Sequence, residues 1–280
     1  SLKETRSPCC NFTADMRQIY GPMIARMLRL IHLLILITAG PMLLGQTDGN
    51  CIPIGGAAGL ERLFEQELNY PAVALEAGIK GEVVVTTFLD PSGRTLSVVI
   101  GRSLCPECDA EALRVMHQVI WLPATPGEAC SGKENYISVP FDPGKYKRWV
   151  KGRHERTGKV FDLPVDTSLV VRSAKQLDEQ VAPQVPGGLR GLPTYLAHEL
   201  RYPGEAFRYS LEGVVTLDFV VEPSGCISNM HASQAVGGGC TEEAMRLMYR
   251  IAWQPGVMHG HRTRSQMQVS IRFTLPKQGR

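Results

Sequence analysis

From Gly81 onward, apolar and polar positions alternate: Val83, Val85, Thr87 and Leu89 share one face, with Val84, Thr86 and Phe88 opposite. This is the period of two of a strand with one buried side. Asp90-Pro91-Ser92-Gly93 is a turn signal, and Thr95 to Arg102 returns as the second arm of a β-hairpin. The period then lengthens. Ala112, Val115, Met116 and Val119 recur at helical spacing behind Asp109, which sits where an N-cap is wanted. Trp121-Leu122-Pro123 is expected to stop this helix, and Glu134 to Phe141 reads as a third strand with Ile137, Val139 and Phe141 on one side. Upstream, Leu60, Leu63, Phe64 and Leu68 predict a short amphipathic helix ahead of Tyr70-Pro71, followed by a helical turn, Ala72 to Ala77, ending near Gly78.

The whole pattern occurs twice. Tyr70-Pro71, Gly81, Pro91-Ser92-Gly93, Cys108, Glu111-Ala112, Trp121, Pro123 and Phe141 return 132 positions later as Tyr202-Pro203, Gly213, Pro223-Ser224-Gly225, Cys240, Glu243-Ala244, Trp253, Pro255 and Phe273. Gly55-Gly56, Gly59, Leu60 and Leu68 keep the same offset with Gly187-Gly188, Gly191, Leu192 and Leu200. One offset held without a gap across so many rare residues is an internal duplication of roughly 90 residues per copy. The chain therefore reads as an α+β protein of two tandem β-β-α-β domains, copy one over 52–144 and copy two over 186–277.

Topology follows from chain direction and handedness. The helix returns down the sheet after strand two, so strand three lies antiparallel to strand one. A right-handed crossover gives the order 2-1-3, with the helix on one face. Strand three is then a free edge with unpaired backbone groups, suited to β-augmentation by an extended segment. Pro140 lies in that strand in copy one, where an edge tolerates it; copy two has Arg272 there and keeps one more donor.

The N-terminal part bears on location. Leu30 to Leu44 is almost wholly apolar, preceded by Arg26 and Arg29, and its 15 residues are short for a membrane span. Residues 27–45 read as a signal peptide or signal anchor, with 1–26 as an upstream segment. Export to the periplasm or cell envelope would put Cys51, Cys105, Cys108, Cys130, Cys226 and Cys240 in an oxidising compartment, as disulfide candidates with the pairing left open. Cys9 and Cys10 lie upstream of the expected cleavage point. Cys105-Pro106-Glu107-Cys108 reads as a loop disulfide capping the following helix, the functional alternatives being a redox pair or half of a zinc site.

No second CxxC or paired His run completes a metal site, and His259 and His261 form a lone HxH on an expected solvated loop. There is no Ser-His-Asp order, phosphate-cradling loop or paired carboxylate of acid/base character, so neither enzyme nor cofactor chemistry is expected. A net charge of +3 does not argue for nucleic acid. Residues 145–185 read as a linker opening with a basic run, Lys145, Lys147, Arg148, Lys151, Arg153, Arg156 and Lys159, able to touch anionic lipid or cell wall.

In both copies, the ordered set of Gly-Gly, amphipathic helix, Tyr-Pro, Val-rich strand, Ser-Gly turn, Glu-Ala helix, Trp-x-Pro and a strand ending in Phe resembles the TonB C-terminal domain. The resemblance implies a periplasmic domain that binds the plug-side peptide of an outer-membrane TonB-dependent transporter by strand addition. In full transducers it also implies coupling to an inner-membrane motor. Carried over by position, the binding edge is Met267, Gln268, Val269, Ser270, Ile271 and Arg272, and in copy one Tyr136, Ile137, Ser138 and Val139. Tyr70, Tyr202, Trp121 and Trp253 match motif positions and are read as packing residues. His32 lies in the apolar run, but Leu28 stands where the family's anchor has Ser, and no Pro-rich spacer follows. Two readings result: an energy transducer engaging transporters, if residues 27–45 are retained, or a secreted periplasmic adaptor, if they are cleaved.

Overall fold

Strand one of each copy is the centre of a three-stranded antiparallel sheet. The computed structural model describes residues 51–125, 127–130, 134–157 and 162–275. The expectations for residues 1–26 and 27–45, and for Cys9, Cys10 and His32, fall outside the described residues. Copy one runs β1 (Cys51–Pro53), α1 (Gly56–Glu67), α2 (Ala72–Glu76), β2 (Gly81–Leu89), β3 (Thr95–Arg102), α3 (Pro106–Met116), β4 (Trp121–Pro123) and β5 (Asn135–Phe141). After it come α4 (Pro143–Thr157), a 3-10 turn at Ala174–Gln176 and β6 (Ala182–Pro183). Copy two continues with α5 (Gly188–Glu199), α6 (Gly204–Arg208), β7 (Gly213–Val221), β8 (Ile227–Gln234), α7 (Cys240–Arg250), β9 (Trp253–Gln254), β10 (Gly256–Met258), β11 (His261–Thr263) and β12 (Ser265–Phe273). The sheets are ordered β3-β2-β5 and β12-β7-β8, strand three beside strand one as chain direction required.

Duplicated residues do duplicated work. Tyr70 and Tyr202 are clamped edge-on to Phe141 and Phe273, at 5.4 and 5.9 Å between ring centres. Their hydroxyls donate to the carbonyls of Ile79 and Leu211, themselves 132 positions apart. Trp121 and Trp253 are fully buried, so packing is the role of all four aromatics. Gly55 and Gly187 start α1 and α5 in the left-handed region, at φ 77° and 80°. One turn later a Cβ on Gly59 or Gly191 would stand 2.4 or 1.7 Å from the carbonyl oxygen of Ile54 or Pro186, so only glycine fits. Glu111 and Glu243 each hold an arginine on the next helical turn, Arg114 and Arg246, which reaches across to the carbonyl of Glu67 or Glu199 at the end of the first helix.

Several local expectations are corrected. Helix α3 starts four residues early: Cys105, in extended backbone, is its N-cap, its sulfur accepts the Cys108 N–H, and Pro106 opens the helix. Asp109 instead takes the Ser103 hydroxyl and the Leu104 N–H. Trp121-Leu122-Pro123 is a strand, not a helix stop, and pairs with Cys51–Pro53, because α3 has already ended at Met116. Disulfides join Cys51 to Cys130 and Cys105 to Cys108. Cys226 and Cys240 are buried thiols; the position three before Cys240 is Gly237, so copy two lacks the second half of that pair. Burial pushes the Cys240 thiol up from its ordinary range.

The segment read as a linker begins as a helix. Tyr146 and Trp149 pack α4 on the copy-one core. The Arg153 guanidinium donates to the carbonyls of Phe64, Glu65 and Leu68, satisfying the end of α1. Lys147, Arg148 and Lys151 are left on the exposed face. Over its described side chains the helix is thus amphipathic: Tyr146, Trp149 and Arg153 dock, while Lys147, Arg148 and Lys151 point away.

Helix α1 of copy one lies against β8 of copy two. Asn229 makes a bulge in β8 at φ 49°, a conformation asparagine tolerates better than most residues. Its side chain acts as a short piece of backbone, accepting the Ile120 N–H at 2.8 Å and donating to the Gln118 carbonyl at 3.0 Å. Arg264 donates to the same Gln118 carbonyl at 2.9 Å and forks onto Glu222, both residues being almost wholly inaccessible. Ser224 donates to Glu67 across the same seam at 2.5 Å. Glu67 is pushed up to about 7, first by burial and then by the facing Glu222 carboxylate, against the pull of Ser224, Arg114 and Arg153.

Candidate functional site

Alternation in β12 sends Val269, Ile271 and Phe273 into the core, with Met267 partly covered, and leaves Gln268, Ser270 and Arg272 on the open face. On that face Gln268 donates to Asp218 at 2.9 Å, and the Ser270 and Thr216 hydroxyls meet at 3.1 Å. Backbone parity follows from one contact. The Gln266 N–H and Arg264 carbonyl bond to Arg172, away from β7. Peptide groups alternate along a strand, so the N–H and C=O groups of Gln268, Ser270 and Arg272 also point outward. Among the described residues no backbone bond covers them.

The edge is therefore only partly free, which corrects the expectation of an open strand. Residues of the inter-domain segment run parallel to β11 and to the start of β12, through the bridges Val165 to Arg262 and Arg172 to Ser265. In the sequence, Leu163 and Leu169-Val170-Val171 suggest local packing, as a strand or a tether against copy one; the backbone bridges are made instead with copy two, by single residues that leave no periodicity.

In copy one, Ile137 and Val139 are buried, Tyr136 is exposed and Ser138 is intermediate. Ser138 donates to Glu82 at 2.5 Å, and the Tyr136 hydroxyl donates to Glu134. The outward positions of β5 are those matching β12: Tyr136, Ser138 and Pro140. Pro140 has no N–H, so this edge offers one donor fewer. The two sets of expected binding residues lie in separate sheets, and no single site brings them together. His259 and His261 flank the β10-β11 turn and are exposed. Among the described residues no cluster of three His, Cys, Asp or Glu is placed to hold a metal, and no helix is long and apolar enough to cross a membrane.

The residues that sequence reasoning missed are those joining the copies: Glu67, Asn229, Glu222 and Arg264. Arg114 and Arg246 were readable, since they keep the offset of 132 and repeat three residues after the matched glutamates. Arg264 was not, because the residue 132 positions earlier is Gly132.

Compared with known families, the chain matches the model described as Gram-negative bacterial TonB protein C-terminal over residues 66–142 and again over 198–275, more than half of its length. No curated protein matches it.

Proposed function

The chain belongs to the TonB C-terminal family, and from that premise we propose that copy two captures an extended segment of an outer-membrane TonB-dependent transporter by strand addition to β12. The observation that carries this reading is the row of outward backbone groups at Gln268, Ser270 and Arg272. An added strand would satisfy each with a bond worth about 0.5–1.5 kcal/mol net. Side chains on the open face, Gln268, Ser270 and Arg272, supply polar selectivity. Copy one, one donor short, is the brace that holds copy two and not the principal docking site.

The test uses a synthetic peptide from the N-terminal plug-side segment of a transporter of the same cell, with affinity read by calorimetry. Ser270→Pro removes an outward donor while sparing the ladder to β7, and should weaken binding at least about tenfold. The same change in copy one, Ser138→Pro, should leave binding within about twofold. Equal losses would mean that copy two is not the docking copy.

Whether the protein also couples to an inner-membrane motor turns on residues 27–45. The secreted-adaptor reading is favoured by the shortness of the apolar run, 15 residues against the roughly 20 of a span. An intact mass starting near Gln46, with the protein in the soluble periplasmic fraction, excludes coupling through this chain. Retention in the inner membrane supports it. The outward cations of α4, Lys147, Arg148 and Lys151, are the surface we assign to anionic lipid or cell wall.

A further inference from the structure

We propose that the segment between the copies is a register stop on the β12 edge: its backbone fills the first outward position and confines an added strand to the stretch from Gln268 to Arg272. The proposal rests on the reading of β12 as a docking strand and adds what sets the length and register of its partner.

Four backbone bonds hold the segment in place. The Asp166 N–H donates to Arg262 and the Arg262 N–H to Pro164; the Arg172 N–H donates to Arg264 and the Gln266 N–H to Arg172, each at 2.8 Å. Side chains pin it along its length. The Arg262 guanidinium donates to the Leu163 carbonyl at 2.8 Å, and buried Arg264, already fixed by Glu222, donates to the Leu169 carbonyl at 3.1 Å. Asp166 takes the Ser168 N–H and hydroxyl, accepts from Thr263 and lies 3.7 Å from the Arg172 guanidinium. Because Arg264 also bonds copy one, the segment is tied into the seam between the domains and is not a loose tether.

It then leaves the strand abruptly. Ser173 and Gln176 form a capping box around the 3-10 turn, and the Asp178 N–H donates to Val257, drawing the chain toward β10. Beyond Gln266 the edge is uncovered among the described residues. A partner strand cannot lie beside Gln266 without displacing Arg172. Three outward residues remain, so the paired part of the partner is about five to seven residues, or roughly 20 Å. Such a partner is a short extended segment whose chain turns away at the Arg172 end.

The experiment is amide hydrogen exchange on the full chain, free and saturated with the transporter peptide. Versions of the peptide lengthened at either end by four residues are included. In the free chain, the Gln266 amide should exchange about a hundredfold more slowly than those of Gln268, Ser270 and Arg272. The peptide should slow only the latter three. Lengthening the end that would reach Gln266 should leave affinity within about twofold on the natural chain, and raise it about tenfold on Arg172→Pro, which cannot donate to Arg264. Arg172→Ala keeps the backbone and should behave as the natural chain.

Gln266 exchanging as fast as Gln268 in the free chain would overturn the stop whatever the peptide does. So would a longer peptide gaining affinity equally on natural and variant chains. Failure of every peptide to slow Gln268, Ser270 and Arg272, with Gln266 still slow, would overturn the docking reading and the stop together. That pattern is distinct from a peptide that docks without respecting the boundary.

Discussion

The turn after strand one is built identically in both copies, and its carboxylate has opposite fates. Asp90 in copy one folds back on its own loop, accepting the N–H groups of Ser92 and Arg94 and the Ser92 hydroxyl. The Ser92 hydroxyl bond leads in holding its carboxyl below the usual range. Its counterpart in copy two, Glu222, is one methylene longer, reaches away from the turn and is sealed against Arg264 and Ser228 at the seam between the domains. The third strands diverge likewise: β5 ends its outward row with Pro140, and β12 with Arg272. Duplication supplied two copies of a frame. Substitution at a few positions outside the shared motif buried one turn carboxylate at the seam and left the two edges with different numbers of donors.

The comparison breaks most visibly at the buried pair. Arg264→Ala strands the Glu222 carboxylate out of water and should cost about 3–5 kcal/mol, read by urea unfolding. It should also loosen residues 163–172, since Leu169 loses its donor. A loss below about 1 kcal/mol would show that the seam is not a lock.

Next comes a pH effect that only the seam can produce. Glu67 titrates at about 7 in the folded chain against 4.5 as its ordinary value, so the native state holds the proton more tightly. Its contribution is therefore full below pH 4.5 and is lost as pH rises through 7. The loss is on the order of 3 kcal/mol. Glu67→Gln, which still offers Ser224 an acceptor, should flatten this slope and raise stability at pH 8. The counterpart Glu199→Gln, away from the seam, should leave the slope alone. A slope unchanged in Glu67→Gln would assign it to another group. Smaller again is the loss from Ser270→Pro against Ser138→Pro, about tenfold in peptide affinity or ~1.4 kcal/mol. Smallest is Asp90→Ala, which should lower the melting transition only slightly, far less than Arg264→Ala. A comparable drop would mean that both turns bear equal weight.

Most of the frame was legible because it is written twice. The alternation of Val83 to Leu89 is repeated by Val215 to Val221, and Trp121 by Trp253, so chance periodicity could be set aside and strand order followed from handedness. What escaped was whatever occurs once. Helix α4 hid in a run that looked like solvated charge, because the residues that dock it, Tyr146 and Trp149, lie scattered among cations. Cys105 took the N-cap from Asp109 through a sulfur contact that capping preferences do not count. The outward parity of β12 was fixed by alternation, but its first outward position is covered by Arg172, roughly a hundred residues away in sequence, where no local pattern reports it.

The bridge between Cys51 and Cys130 has a mechanical meaning for a domain of this family. Tension entering at the N-terminal end meets β1, a ribbon of three residues that β4 alone would surrender one bond at a time. The sulfur link shunts that load past the ribbon onto Cys130, a few residues ahead of β5, the edge strand that pairs with the central strand of the copy-one sheet. From there it reaches copy two through the contacts of α1, Gln118 and Ile120 with β8 and Arg264. A pull on this chain is thus borne in series by a covalent staple and a polar seam, and reduction of the Cys51–Cys130 bridge would leave β1, Cys51–Pro53, to carry it through its pairing with β4.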